Sequence, residues 1–139
     1  MQIKKTLFIK RTNNSGEILT AITPERNVKI GDLVTVRLEI TSENDMEFIH
    51  LKDLRAAGLE PIDVLSKYKW QDGLGYYQST KDVATHFFFD RLPTGTYFFE
   101  YDLRANNSGD FSNGISTIQS MYAPEFTSNS KGIRLLIAE

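Results

Sequence analysis

The chain has no cysteine among its 139 residues. That absence excludes disulfides, thiolate metal sites and cysteine nucleophiles, while leaving the cellular compartment open. Charge of a single sign is also missing: sixteen Lys and Arg stand against eighteen Asp and Glu, a formal net charge of -2 with both signs dispersed. A nucleic-acid binder carries a basic stripe, so no nucleic-acid partner is expected. There is no long apolar run, and no membrane contact is expected of this domain. The first ten residues lack the apolar core of about 7 residues and the small-residue cleavage site of a signal peptide, so a secreted origin would require a larger precursor.

What is present is enough for one domain over residues 1–139. With 40% hydrophobic residues, a chain of this length buries roughly 68% of the surface its unfolded state exposes. Its periodicity is that of strands. In 33–40, Val34, Val36, Leu38 and Ile40 alternate with Thr35, Arg37 and Glu39, the period-two pattern of a half-buried strand. In 95–104, Tyr97, Phe99, Tyr101 and Leu103 face one way and Thr96, Glu100, Asp102 and Arg104 the other, with Phe98 the exception on the polar side. Further strands are predicted over 5–11, 46–54, 74–79, 83–90, 114–122 and 132–138, each bounded by Gly, Pro, Asn or Asp.

The connections carry turn chemistry. Asn13-Asn14-Ser15-Gly16, Leu92-Pro93-Thr94-Gly95 and Asn106-Asn107-Ser108-Gly109 supply residues that tolerate left-handed geometry or preset φ. Only 62–70 could hold a helical turn or two. Seven to eight short strands spaced by turns predict an all-β, antiparallel β-sandwich of fibronectin- or immunoglobulin-like architecture.

Catalytic constellations are hard to find. His50 and His86 lie far apart in sequence, each inside a strand pattern, without the nearby His or carboxylate of a zinc site, so no metal is expected. Gly114-Ile115-Ser116-Thr117-Ile118 lacks the second glycine of a nucleophile elbow. Carboxylate pairs such as Asp53 with Glu60, or Asp82 with Asp90, read as solvated loop acids rather than a glycosidase acid and base. No catalytic residue and no cofactor follow, and the chain is not expected to be an enzyme. Trp70, Tyr76 and Tyr77 are the notable aromatic cluster, either packed in the domain or exposed as a sugar-stacking platform.

The stretch Gln119-Ser120-Met121-Tyr122-Ala123-Pro124-Glu125-Phe126 sets a large amphipathic pair directly before a backbone constraint. Proline lacks an N–H and biases the preceding residue toward extended geometry, so a strand reaching Tyr122 should stop pairing there. Met121 and Tyr122 then sit at a strand end, either as a lid over the domain's own core or as adaptable side chains that fill a pocket on another surface.

Four stretches together carry a resemblance: Gly31-Asp32-Leu33-Val34-Thr35-Val36; Asp53-Leu54-Arg55-Ala56-Ala57-Gly58-Leu59-Glu60-Pro61; Leu92-Pro93-Thr94-Gly95-Thr96-Tyr97-Phe98-Phe99-Glu100-Tyr101; and Met121-Tyr122-Ala123-Pro124-Glu125. Taken in order, from about Val28 onward, they resemble the C-terminal macroglobulin-like domain of bacterial α2-macroglobulins. Each alone is ordinary turn-and-strand grammar; their order and the closing MYAPE make the likeness specific.

The resemblance implies a part of a large envelope protein that traps proteases, in which an internal Cys-to-Gln thioester captures the attacker in many members. With no cysteine, this chain can hold no thioester of its own. The implied role is that of the domain that packs on the thioester-bearing helical domain and keeps water from it, with Met121, Tyr122 and Pro124 at the shielding positions. Implied partners are the other domains of the parent chain, and proteases through that parent; the implied location is the periplasm or cell surface, in a secreted or lipid-anchored parent. One departure stands out: where many members carry a proline in the turn after the aspartate, this chain reads Asp53-Leu54-Arg55-Ala56-Ala57-Gly58. The alternative function is a free-standing adhesion or carbohydrate-binding sandwich using Trp70, Tyr76 and Tyr77.

Overall fold

In the computed structural model the described residues fold into strands and their connections, with no helix among them. The backbone is described over residues 1–22, 28–62, 67–71, 74–80, 84–123 and 125–139, and side chains over the same residues except 13, 67–71, 74, 79–80 and 112–113.

Two sheets form the layers of a sandwich. The first holds β1 (Gln2–Asn13), β2 (Gly16–Ala21), β4 (Leu33–Ser42), β6 (Leu59–Pro61) and β10 (Gly95–Ala105), in the order β2-β1-β4-β10-β6. The second holds β5 (Met46–Leu54), β7 (Lys67–Gln71), β8 (Leu74–Thr80), β9 (Ala84–Leu92), β12 (Ser116–Ser120) and β13 (Thr127–Asn129), in the order β13-β12-β5-β9-β8-β7. Every pairing in both is antiparallel. A three-stranded sheet, β11 (Gly109–Asn113), β14 (Ile133–Ala138) and β3 (Val28–Lys29), extends one end, and there β3 runs parallel to β14. Backbone hydrogen bonds Gly31 N to Ala105 O (2.8 Å) and Ala105 N to Asp32 O (2.9 Å) tie it to the first layer.

The inward residues are those the alternation selects. Val34, Val36, Leu38 and Ile40 of β4 and Phe99 and Leu103 of β10 are buried, facing Ile49 and Leu51 of β5, Phe87 and Phe89 of β9 and Ile118 of β12. Tyr97 and Tyr101 pack on this core while half-buried, and Phe98 is exposed as its parity requires. Rings of the two layers meet directly: Tyr76 lies edge-on to Phe99 at 5.1 Å, and Phe87 and Phe89 flank the same ring at 6.4 and 5.3 Å.

The all-β sandwich is as expected, with fourteen strand segments among the described residues instead of seven or eight. The additional ones are β2, β3, β6, β7, β11 and β13, all of six residues or fewer, with too few alternating apolar positions to register as a period. The second half of the stretch expected to hold a helical turn is β7, paired residue by residue with β8 from Lys67↔Gln78 to Gln71↔Leu74; residues 63–66 lie outside the described residues.

One irregularity bears on function. Among the described residues, Phe48 is the only non-glycine with φ in the left-handed region, at 54°. Both Met46 and Ile49 face the core, although they are three apart and strict period two would put them on opposite faces. The partner strand does the same, with Phe89 and Leu92 both buried. The register runs Met46↔Leu92, Glu47↔Arg91, then Ile49↔Phe89, stepping over Phe48. The two strands thus change face together, and the left-handed residue turns Phe48 outward.

Candidate interaction tip and the polar groups around it

The hairpin joining β12 to β13 carries the Met-Tyr pair. Pairing of β12 ends at Ser120, two residues before Tyr122. The connection is nevertheless held at several points. Met121 N donates to Phe48 O (2.9 Å), Ser120 N to Phe126 O (3.0 Å), Phe126 N to Ala123 O (2.9 Å) and Ala123 N to Ser120 Oγ (3.3 Å). The backbone of Ser120, Met121, Ala123 and Phe126 is thus hydrogen-bonded, while the side chains are in solvent: Met121 is 54% exposed, Tyr122 79% and Phe126 54%. Phe48, 40% exposed, meets Tyr122 edge to face, ring centroids 5.0 Å apart and planes at 86°. Pro124 lies outside the described residues. Of the two placements open to Met121 and Tyr122, the exposures fit side chains offered outward rather than a lid over the core.

Of the two placements open to the aromatic cluster, Tyr76 takes the packed one. Tyr76 is 4% exposed and sits in the core against Phe87, Phe89 and Phe99. Tyr77, its neighbour on β8, points to the other face, near Phe88 at 6.2 Å. Adjacent strand residues face opposite sides, so these two tyrosines share no stacking surface. The side chain of Trp70 lies outside the described residues.

Asp53 is not a solvated loop acid. Its side chain and that of Lys5 are both 0% exposed, with Lys5 Nζ 2.5 Å from Asp53 Oδ1. The ammonium has three protons and uses all of them, donating also to Leu54 O (2.8 Å) and Gly114 O (3.0 Å). The carboxylate accepts further from Ser116 Oγ (2.6 Å) and from the hydroxyl of Tyr101. Lys5 lies on β1 and Tyr101 on β10 of one layer, Asp53 on β5 and Ser116 on β12 of the other, so this cluster pins the layers together. Burial lowers the Lys5 pKa against the opposing pull of Asp53. Burial, with the adjacent Asp53 charge, pushes the Tyr101 phenol well above its usual value. Glu60, offered as the partner of Asp53, is instead exposed and accepts from Asn106 Nδ2 (3.2 Å). Asp82 lies outside the described residues, and Asp90 is exposed on β9.

The fold brings together the two histidines that sequence distance had separated. His50 on β5 and His86 on β9 lie diagonally across the ladder, with His50 Nε2 2.8 Å from His86 Nδ1 and ring planes within 6°. One ring must donate and the other accept, so the pair accommodates at most one extra proton. Burial, then the neighbouring His86 and Lys52, lowers the His50 pKa. No group of three or more His, Cys, Asp or Glu placed to hold a metal occurs among the described residues.

The family model for the bacterial alpha-2-macroglobulin MG10 domain matches residues 1–125. An alpha-2-macroglobulin homolog of Nostoc sp. is 25% identical over 120 residues, and circularly permutated Ras protein 2 of Dictyostelium discoideum 26% over 110 residues. In both matches 79% of this chain is covered, but only 6% and 3% of those proteins, so the chain spans a small fraction of its relatives' length. Among solved structures, Escherichia coli alpha-2-macroglobulin activated by porcine elastase superposes with a TM-score of 0.78 at 19% identity, covering 99% of this chain and 13% of that one. Salmonella alpha-2-macroglobulin reacted with methylamine gives 0.75 at 17%, covering 99% and 9%.

Proposed function

Because the chain belongs to the bacterial alpha-2-macroglobulin MG10 domain family, we propose that it is a non-catalytic interaction domain of a protease-inhibitor-like parent, packing on and shielding a thioester-bearing helical domain. The observation that carries this reading is the Met121–Tyr122 pair, strongly exposed on a hairpin whose backbone is hydrogen-bonded in place. A thioester survives in water only where water is excluded. A thioether and a phenol inserted over it supply apolar cover and one hydrogen-bond donor. Burying each side chain is worth roughly 1.5–3 kcal/mol, enough to hold a contact closed and small enough for a conformational change to release it.

In this reading the domain works as one part of a much larger parent. Its other domains are the direct partners of this one, proteases are met through the whole molecule, and the parent works in the periplasm or at the cell surface. Asp53 and Ser116 are committed to a buried structural cluster, which leaves neither free to serve as a nucleophile or base.

Tyr122→Ala tests the reading. In the 139-residue chain it should alter stability by less than about 0.5 kcal/mol, as for an exposed side chain. In the thioester-bearing parent it should speed reaction with methylamine. A loss above about 2 kcal/mol in the chain alone, the cost of truncating a buried side chain, would mean that Tyr122 belongs to the domain's own core.

A further inference from the structure

We propose that Phe48 is a positioning residue of the tip, held in a strained backbone conformation so that its ring sets the direction of Tyr122. The inference rests on the reading of Met121 and Tyr122 as the docking pair. Three observations meet at this residue. Phe48 has φ 54°, which is unfavourable for a bulky side chain and persists only where surrounding structure over-determines it. Its carbonyl accepts from Met121 N (2.9 Å), so the backbone of the tip is anchored on the strained residue. Its ring meets the Tyr122 ring edge to face at 5.0 Å.

A left-handed residue in mid-strand needs no side chain, and glycine would adopt the conformation without penalty. A phenylalanine there, 40% exposed, is costly twice over: in backbone strain and in apolar surface left in water. The core gains little from it, because Met46 and Ile49 on either side supply the buried contacts. The ring's gain lies at Tyr122. An exposed tyrosine samples several rotamers, and one aromatic edge against it narrows them before docking, so less side-chain freedom is lost on contact.

The experiment compares Phe48→Gly, Phe48→Tyr and Tyr122→Ala. In the 139-residue chain, Phe48→Gly should melt no lower than wild type, since it relieves the left-handed strain, while the Tyr122 ring-proton resonances move toward those of a free tyrosine. Phe48→Tyr keeps the ring and should leave those resonances near their wild-type positions. In the thioester-bearing parent, Phe48→Gly should react with methylamine about 2- to 12-fold faster, the rate equivalent of one edge-to-face aromatic pair. Combined with Tyr122→Ala it should add nothing to the effect of Tyr122→Ala alone. Unshifted Tyr122 resonances in Phe48→Gly overturn the positioning role whatever the parent does. A wild-type methylamine rate in Phe48→Gly beside an accelerated Tyr122→Ala overturns it while leaving the docking pair intact. If Tyr122→Ala leaves the rate unchanged, the docking reading fails and this inference fails with it.

Discussion

Replacing Asp53 with alanine removes the carboxylate that, among the described residues, is the only counter-charge at the Lys5 ammonium. Lys5 Nζ keeps Leu54 O at 2.8 Å and Gly114 O at 3.0 Å, but its charge is then buried, 0% exposed, without a carboxylate. Breaking a buried pair from one side costs about 3–5 kcal/mol. Ser116 Oγ and the Tyr101 hydroxyl lose an acceptor as well. Because all four groups form one network, these losses overlap and do not sum. Against a total of about 5–15 kcal/mol for an ordinary domain, the variant should be marginal. In urea, with a slope of about 1.5 kcal/mol/M, the midpoint should drop by about 2–3 M. The double variant Lys5→Met/Asp53→Leu removes both charges and should recover most of that drop, because an ion pair buried this deeply contributes little beyond an apolar pair of similar volume. An Asp53→Ala midpoint within about 0.7 M of wild type, or a double variant as unstable as the single one, would refute the reasoning.

Two further outcomes follow from close packing and from protonation. A Cβ at Gly114 would lie 2.4 Å from Leu54 Cβ, and Gly114 O is a ligand of Lys5, so Gly114→Ala should destabilise by about 1–3 kcal/mol; an unchanged thermal midpoint would show that the strands separate at no cost. His50 titrates lower in the folded chain than its ordinary value of 6.5, so above that pH its contribution is constant, and as the pH falls through 6.5 the unfolded chain binds the proton first and stability declines until the folded pKa is passed. His50→Gln should flatten the fall in urea midpoint below pH 6.5, and an identical pH profile in the variant would remove His50 as its source.

The strands legible in the sequence are those whose alternation survives burial of one face. Residues 33–40 and 95–104 lie within β4 and β10, because each presents several apolar residues at period two, and 46–54 match β5 end to end although its alternation shifts at Phe48. β13 reads Thr-Ser-Asn, which has no apolar face to betray it. The stretch 114–122 contains β12, but the strand stops at Ser120 and the tip begins before the proline rather than at it. The sequence leaves Met121 and Tyr122 open to either a core lid or an outward placement, and their exposures of 54% and 79% are set by where β12 ends, which no local pattern gives. Asp53 reads as a solvated acid in the sequence because an acid near a strand end usually meets water; what buries it is Lys5, 48 residues earlier and on the opposite layer. The same long-range geometry hid the His50–His86 pair, 36 residues apart. Phe48 left a faint trace, in that the core positions Met46 and Ile49, and likewise Phe89 and Leu92, are spaced by three where a regular strand spaces them by two.

The parallel pairing of β3 with β14 has a kinetic meaning. Its register joins Val28 to Ile137, closing a loop of 109 residues, and β14 follows every other strand in the chain. Closing a loop of that length carries an entropic penalty of about 4 kcal/mol before a contact repays it. Val28, fully buried in the finished fold beside Leu135 and Ile137, therefore stays uncovered while β1, β2 and β4 pair through much shorter loops. During synthesis, at about 5–20 residues per second, this end of the sandwich waits several seconds for its last strand. Throughout that interval its uncovered valine edge is open to capture by a chaperone or to pairing with a neighbour.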